Sequence, residues 1–167
     1  MAFVQEQPWF VLKVRTRSEA LVVNHLRGRA YETFLPTYQE ARQYSDRIKK
    51  VESPLFPGYV FCRLEPNNRL PILKTNGVEY ILGANNVPEE VPVREICALQ
   101  KLMVAGVDAR PHPFLRRGQK VKIGCGAFAG VEGLIVQERG VDRFVLSIAM
   151  LQRSVAVEMD RTWVRPT

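Results

Sequence analysis

Histidine, cysteine and long apolar runs are all scarce in this chain. Its 167 residues include two histidines, His25 and His112, and three cysteines, Cys62, Cys97 and Cys125. The cysteines are far apart and form no C-x-x-C pair, which argues against a structural zinc site; no metal and no cofactor is expected. Their odd number argues against a disulfide framework, so buried free thiols in a reducing cytosol are expected. No apolar run approaches the ~20 residues of a membrane-spanning helix. Residues 1–8 lack the basic start and apolar core of a secretion signal. The expectation is a cytoplasmic protein with no membrane association. The chain also lacks a G-x-x-x-x-G-K-[ST] phosphate loop and any evident nucleophile–base pair, so it is not read as an enzyme.

What is present is a globular composition, 46% hydrophobic, with a net charge of +7. The charge is uneven. From residue 109 onward ten Lys and Arg stand against five Asp and Glu; before that point the count is fourteen against twelve. A basic C-terminal third fits contact with nucleic acid or with an acidic protein surface. It also fits a simple need for solubility.

The segment Leu55-Phe56-Pro57-Gly58-Tyr59-Val60-Phe61 sets three aromatics around a Pro-Gly corner. Pro57 has a fixed φ and no amide donor, while Gly58 permits a turn that other residues resist. The polar, basic stretch 42–50 precedes it. An apolar corner beside a basic arm reads as a docking surface more than a catalytic cleft.

Around this corner the pattern predicts strands and helices in an α+β arrangement, with helices on one antiparallel sheet. Residues 9–14 read as a buried strand. Thr16 and Glu19 have the spacing of a capping box, with Val22, Val23, Leu26 and Ala30 as the apolar stripe of the helix that follows, ending near Gly28. A strand is expected over 34–40, at an edge because of Pro36. A hairpin tip is expected at 44–47, with its return arm at 51–52. Further strands are expected at 59–64 and 78–82. Between them a short helix from Glu65-Pro66 to Leu73 is expected to break or bend at Pro71. Residues 87–91 read as a loop. A second amphipathic helix spans 92–104, with Ile96, Leu99, Leu102 and Met103 on one face.

The Gly- and Pro-containing stretch 106–113 reads as a linker. Beyond it, Val121 and Ile123 alternate with Lys120 and Lys122. Phe144, Leu146 and Ile148 alternate with Val145 and Ser147, and Val155, Val157 and Met159 alternate with Ala156 and Glu158. Period-two runs separated by glycine-rich turns predict a small all-β barrel.

Two segments carry a family resemblance. Gly118-Gln119-Lys120-Val121-Lys122-Ile123 followed by Gly126-Ala127-Phe128-Ala129-Gly130-Val131-Glu132-Gly133 resembles a KOW motif, an SH3-like barrel found in ribosomal proteins and transcription elongation factors; Ala127 stands where that motif usually has proline. Trp9-Phe10-Val11-Leu12, the 55–61 segment and Gly77-Val78-Glu79-Tyr80-Ile81 resemble the NGN domain of NusG-type transcription factors. The combined resemblance runs from about residue 9 to 165. It implies an N-terminal tail over 1–8, an NGN-like domain over 9–105, a linker over 106–113 and a KOW barrel over 114–167. Arg42-Gln43-Tyr44-Ser45-Asp46-Arg47 and Leu151-Gln152-Arg153-Ser154-Val155-Ala156-Val157-Glu158 resemble the specialised antiterminator branch associated with polysaccharide operons.

The resemblance implies a monomeric, non-enzymatic regulator of bacterial transcription elongation that raises processivity and antitermination. Its NGN domain would bind the clamp helices of RNA polymerase through Phe10, Leu55, Phe56, Pro57, Tyr59 and Tyr80. Strand alternation equally permits some of these to be core. Arg15, Arg17, His25, Arg42, Arg47, Lys74, Thr75 and Asn76 would face non-template or upstream DNA; a solvated basic face is the other reading. Phe128, Ile148, Met150 and Leu151 of the barrel would recruit a partner, either a small-subunit ribosomal protein or the termination factor Rho. The competing function is a KOW-containing, translation-related RNA-binding protein, which would not need the NGN-like half. A DNA-only binder would show affinity falling steeply with salt, and a small enzyme with an SH3-like appendage has no motif in its favour.

Overall fold

The computed structural model describes residues 6–167. Residues 1–5 of the tail expected over 1–8 lie outside the described residues. In chain order the elements are β1 (Trp9–Val14), α1 (Glu19–Gly28), β2 (Thr33–Phe34), β3 (Thr37–Gln43), β4 (Ile48–Pro54), β5 (Tyr59–Arg63), α2 (Leu70–Leu73), β6 (Val78–Ile81), β7 (Gly83–Ala84), β8 (Val87–Pro88), α3 (Val93–Ala105), β9 (Ala109–Pro113), β10 (Gln119–Ile123), β11 (Glu132–Glu138), β12 (Val141–Ile148), β13 (Arg153–Glu158) and β14 (Val164–Pro166). Two compact units form. The first takes residues up to Leu35 together with Pro57–Val93; the second takes Pro36–Phe56 and Arg94–Thr167.

In the first unit a four-stranded antiparallel sheet runs β2-β5-β1-β6. The inward-facing residues of β1, Phe10, Leu12 and Val14, pack with Val60, Cys62 and Leu64, with Val22, Val23 and Leu26 of α1, and with Ile72 of α2. This is the apolar stripe expected of α1, without Ala30. That residue lies past the helix end, exposed, at φ 66°.

The capping box does not form. Ser18, not Thr16, occupies the N-cap position, and it makes no side-chain cap. Glu19 is 5% exposed and turns away from the helix start. A distant donor, the backbone N–H of Gly58, competes successfully for its carboxylate. The short helix expected over 65–73 is broken, as expected, into a 3-10 turn at Pro66–Asn68 and α2; Pro71 lies in the first turn of α2, where its missing N–H costs nothing. The expected loop over 87–91 instead begins with a strand. Asn85 and Asn86 both adopt positive φ, 53° and 61°, and turn the chain between β7 and β8.

The strand expected over 34–40 is divided at Pro36, with β2 in the first unit and β3 in the second. Strands β3 and β4 pair from Thr37↔Pro54 to Gln43↔Ile48, and Tyr44 N–H donates to the Arg47 carbonyl at 2.8 Å across the tip. The stretch expected to be linker carries β9, which pairs with β13 from Ala109↔Val157 to Pro113↔Arg153. The large sheet is antiparallel with order β14-β10-β11-β12-β13-β9, and no ladder closes it into a barrel among the described residues. Its core holds Val121, Ile123, Phe128, Val131, Ile135, Phe144, Leu146, Ile148, Leu151, Val155 and Val157. Val145 and Ala156, expected to point outward, are buried as well, at 1% and 3% exposure. Gly133 is required by contact: a Cβ there would meet Phe144 Cζ at 2.6 Å and the Val145 carbonyl oxygen at 2.7 Å.

The cysteines divide. Cys62 is buried, while Cys97 and Cys125 are exposed, contrary to the expectation of three buried thiols. Burial, assisted by the nearby Glu32 carboxylate, pushes the Cys62 thiol up to about 12. No helix among the described residues is long and apolar enough to cross a membrane, and the same residues contain no cluster of three or more metal-ligating side chains.

Candidate functional site

The Pro57-Gly58 corner is held from both sides by the first unit. Gly58 N–H donates to Glu19 Oε1 at 2.8 Å, and the Gly58 carbonyl accepts from Val14 N–H at 2.9 Å. Gly58 has φ +85°, a left-handed conformation that side chains resist, and an added Cβ would come within 2.7 Å of Lys13 Nζ. The absence of a side chain at Gly58 therefore makes room for an ammonium group.

That ammonium sits in a row of three side chains. Lys13 is opposite Tyr59 on one neighbouring strand and opposite Tyr80 on the other. Directly opposed residues share a face of a sheet, so Tyr59, Lys13 and Tyr80 line up across β5, β1 and β6. Lys13 Nζ lies 5.3 Å from the centre of the Tyr59 ring, a cation–π distance, and 4.0 Å from Glu79 Oε2. It also donates to the Val14 carbonyl at 3.3 Å. Tyr80 is 53% exposed and Tyr59 is half-buried. The sequence pattern missed Lys13 because a lysine inside an apolar strand draws no notice alone. Its signal was positional: it alternates with Leu12 and Val14 and so takes the sheet face opposite the α1 core.

The expected docking residues therefore separate by exposure. Phe10, Leu55 and Phe56 are core, each at 1% exposure. Leu55 N–H donates to the Pro36 carbonyl at 2.9 Å. Pro57 and Tyr80 are exposed, and Tyr59 lies between these extremes.

The expected nucleic-acid residues separate similarly. Arg15 N–H donates to the Gly77 carbonyl at 2.8 Å, which draws the loop bearing Arg15 and Arg17 against the loop bearing Lys74 and Asn76. Gly77, at φ +98°, fits against the start of α1: a Cβ there would meet Val22 Cγ2 at 2.8 Å. Arg15, Arg17, Lys74 and Asn76 are exposed; Thr75 is 2% exposed, and its hydroxyl donates to the Pro71 carbonyl at 3.0 Å, closing the turn. Thr75 therefore presents nothing to a ligand. His25 is exposed on α1. Arg42 and Arg47 belong to the ribbon of β3 and β4 in the second unit. Both are exposed, and Arg42 pairs with Glu40 at 3.3 Å.

In the second unit the four expected partner-binding residues are mostly structural. Phe128, Ile148 and Leu151 are buried, and Met150 alone is half-exposed. Gly126 and Gly130, at φ +86° and +90°, shape the loop that carries Phe128 inward. Gly130 N–H donates to the Ile123 carbonyl at 2.8 Å.

A family model described as "Transcription termination factor nusG" matches residues 7–100. The chain belongs to the NusG family. A NusG from Lactococcus lactis, described as a transcription termination/antitermination protein, is 28% identical over 168 residues, covering 93% of this chain and 90% of that protein. The Escherichia coli K12 protein of the same description is 23% identical over 174 residues, covering 96% of each. A solved structure described as "Domain interaction in Thermotoga maritima NusG" shares the fold at a TM-score of 0.54 and 18% identity, covering 96% of this chain and 97% of that one. The mixed helix-and-sheet architecture is thus that of a NusG protein, and transcription termination/antitermination and its regulation are the functional setting of this NusG-family chain.

Proposed function

We propose that this NusG-family chain is a non-enzymatic regulator of transcription elongation that binds the clamp helices of RNA polymerase and raises processivity and antitermination. The observation that carries this reading is the row Tyr59–Lys13–Tyr80. It places two aromatics and a cation on the sheet face opposite Phe10 and the α1 core, at the end of that face where Tyr80 is exposed while Trp9 and Phe61 are buried. Aromatics with a polar end are well suited to anchoring a protein partner. A clamp ligand of this kind needs no bond chemistry; preferential binding to the closed clamp shifts its population.

On this reading residues 9–105 act as an NGN-type domain and 114–167 as a KOW-type SH3-like barrel joined through 106–113. Pro57, Tyr59 and Tyr80 touch the polymerase, and Phe10 serves in the core of the first unit. Arg15, Arg17, Lys74 and Asn76 meet non-template DNA, and the ribbon residues Arg42 and Arg47 meet upstream DNA. Met150 is the reachable member of a patch that recruits a small-subunit ribosomal protein or Rho. The residues at 42–47 and 151–158 support assignment to the branch associated with polysaccharide operons.

The test uses the full-length chain and purified polymerase. Tyr80→Ala is expected to weaken binding by roughly thirtyfold, the loss of about 2 kcal/mol typical of an interface anchor, and to shorten read-through of a pause site. If Tyr80→Ala and Tyr59→Ala both bind as the parent does while remaining folded, the docking assignment is wrong.

A further inference from the structure

The second unit carries a group of cations that the docking reading leaves unused. Strand β10 alternates buried Val121 and Ile123 with exposed Lys120 and Lys122. Strand β14 places Arg165 directly opposite Lys122; on the other side β11 places Glu132 opposite Lys122 and Leu134 opposite Lys120. Opposed residues share a face, so Lys120, Lys122 and Arg165 stand together on the outer side of β10 and β14, where like charges set opposite one another are unfavourable. The acid among them compensates little. Glu132 reaches Lys122 only at 3.9 Å, with the two side chains 68% and 53% exposed. Among the described residues, Lys120 and Arg165 have no ion-pair partner. Gly124 leaves room for Arg165 to lie along the strand; a Cβ there would come within 3.1 Å of its Nε. Arg116 and Arg117, both exposed, lead into β10.

We propose that this strip binds the phosphate backbone of a nucleic-acid strand. Lys120 and Lys122 recur along β10 at roughly 7 Å, and Arg165 lies one strand away at about 5 Å, a spacing suited to successive phosphates. A protein partner is a poorer fit, because lysine is depleted from the centres of protein interfaces; the one large exposed apolar side chain beside the strip among the described residues, Trp163, is an aromatic on which a base can stack. Protection of an unpaired edge accounts for Arg165 on the edge strand β14, but not for two lysines on β10, which is paired on both sides.

The test measures binding of the full chain to fluorescent single-stranded RNA, single-stranded DNA and duplex DNA between about 50 and 200 mM salt. The variants are Lys120→Gln/Lys122→Gln/Arg165→Gln and the charge-preserving Lys120→Arg/Lys122→Arg/Arg165→Lys. Each phosphate contact contributes a slope of about 0.7 in log K against log salt for a single strand. The glutamine variant is expected to lose about 2 of that slope on single strands, and the charge-preserving variant to keep it. The same loss should appear when Arg15, Arg17 and Lys74 are already replaced by glutamine, which separates this strip from the loops of the first unit. Equal loss on RNA and DNA identifies the shared phosphate backbone as the ligand; loss on one alone assigns the strip to that strand. An unchanged slope in a folded glutamine variant overturns the proposal. So does loss of binding to polyglutamate with nucleic-acid binding intact, because the strip would then serve an acidic protein.

Discussion

Gly58 lacks a Cβ where Lys13 needs space, and its φ of +85° is one that only glycine adopts freely. Gly58→Ala is expected to cost about 1–2 kcal/mol from the backbone alone, the cost of a left-handed residue with a side chain. Urea unfolding reads that loss, and an unchanged midpoint would show that the corner relaxes. Glu19→Ala leaves the Gly58 N–H without its acceptor and should cost about 1–3 kcal/mol; Glu19→Gln keeps an acceptor oxygen and should cost less. Cysteine chemistry offers a second check. The Cys62 thiol is buried and pushed up to about 12, so an alkylating reagent applied to the folded protein at mildly alkaline pH should modify Cys97 and Cys125 and spare Cys62. Peptide mass spectrometry decides it, and an adduct on Cys62 would mean that the first core opens readily. At this scale the sequence was informative about which residues are apolar and uninformative about distant partners. Glu19 looked like half of a capping box because the spacing from Thr16 was right. Nothing local announced the Gly58 amide, 39 positions away, that took its carboxylate.

Elements were easier to read where the pattern alone implies the period. α1, α3 and β10 appear where a helical stripe or alternation put them, and β1 and β5 where a short apolar run predicts a strand buried on both faces. The misreadings occur where tertiary pairing decides. β9 is built from Ala109–Pro113, with proline at positions 111 and 113, a composition that reads as linker; it becomes a strand because β13 offers it a ladder. Val145 and Ala156 broke the in–out rule because both faces of their strands are covered. Two tests belong here. Gly133→Ala pushes a methyl group into Phe144 and the β12 backbone, and overpacking of that kind costs typically about 1–3 kcal/mol, visible as a lowered Tm. The tie between β12 and the turn after β13 is pH-sensitive. Arg161 donates to both Asp142 oxygens, at 2.9 and 3.2 Å, and these hydrogen bonds hold the Asp142 carboxyl below its ordinary value of 3.8. A lowered folded value gives stability that is present above pH 3.8 and lost as pH falls through the folded value. Arg161→Gln should remove that acid-side loss, so acid titrations of variant and parent converge at low pH; parallel curves would dismiss the pair.

For the molecule as a whole, a net charge of +7 and the proposed aromatic docking row predict two different salt responses. Binding to free nucleic acid should weaken steeply as salt rises, because each neutralised phosphate releases a counterion. Binding to polymerase through Tyr59 and Tyr80 should change much less. Competition measurements at two salt concentrations separate the two modes, and a polymerase affinity that falls as steeply as DNA affinity would contradict apolar docking. The family was legible from widely separated residues because both the 55–61 corner and the Gly126–Gly133 loop depend on glycines whose geometry leaves few substitutes. The docking row was only half legible: Tyr59 and Tyr80 attract notice as aromatics, whereas register places Lys13 between them.

The ribbon of β3 and β4 is joined at Tyr44–Arg47 by a turn whose residues are all exposed, and its register is fixed by seven successive pairs rather than by the tip. Such a turn tolerates added sequence. A peptide tag or a small reporter domain spliced between Ser45 and Asp46 would leave both cores untouched, giving the chain an internal attachment point that also perturbs any contact made by the neighbouring Arg47.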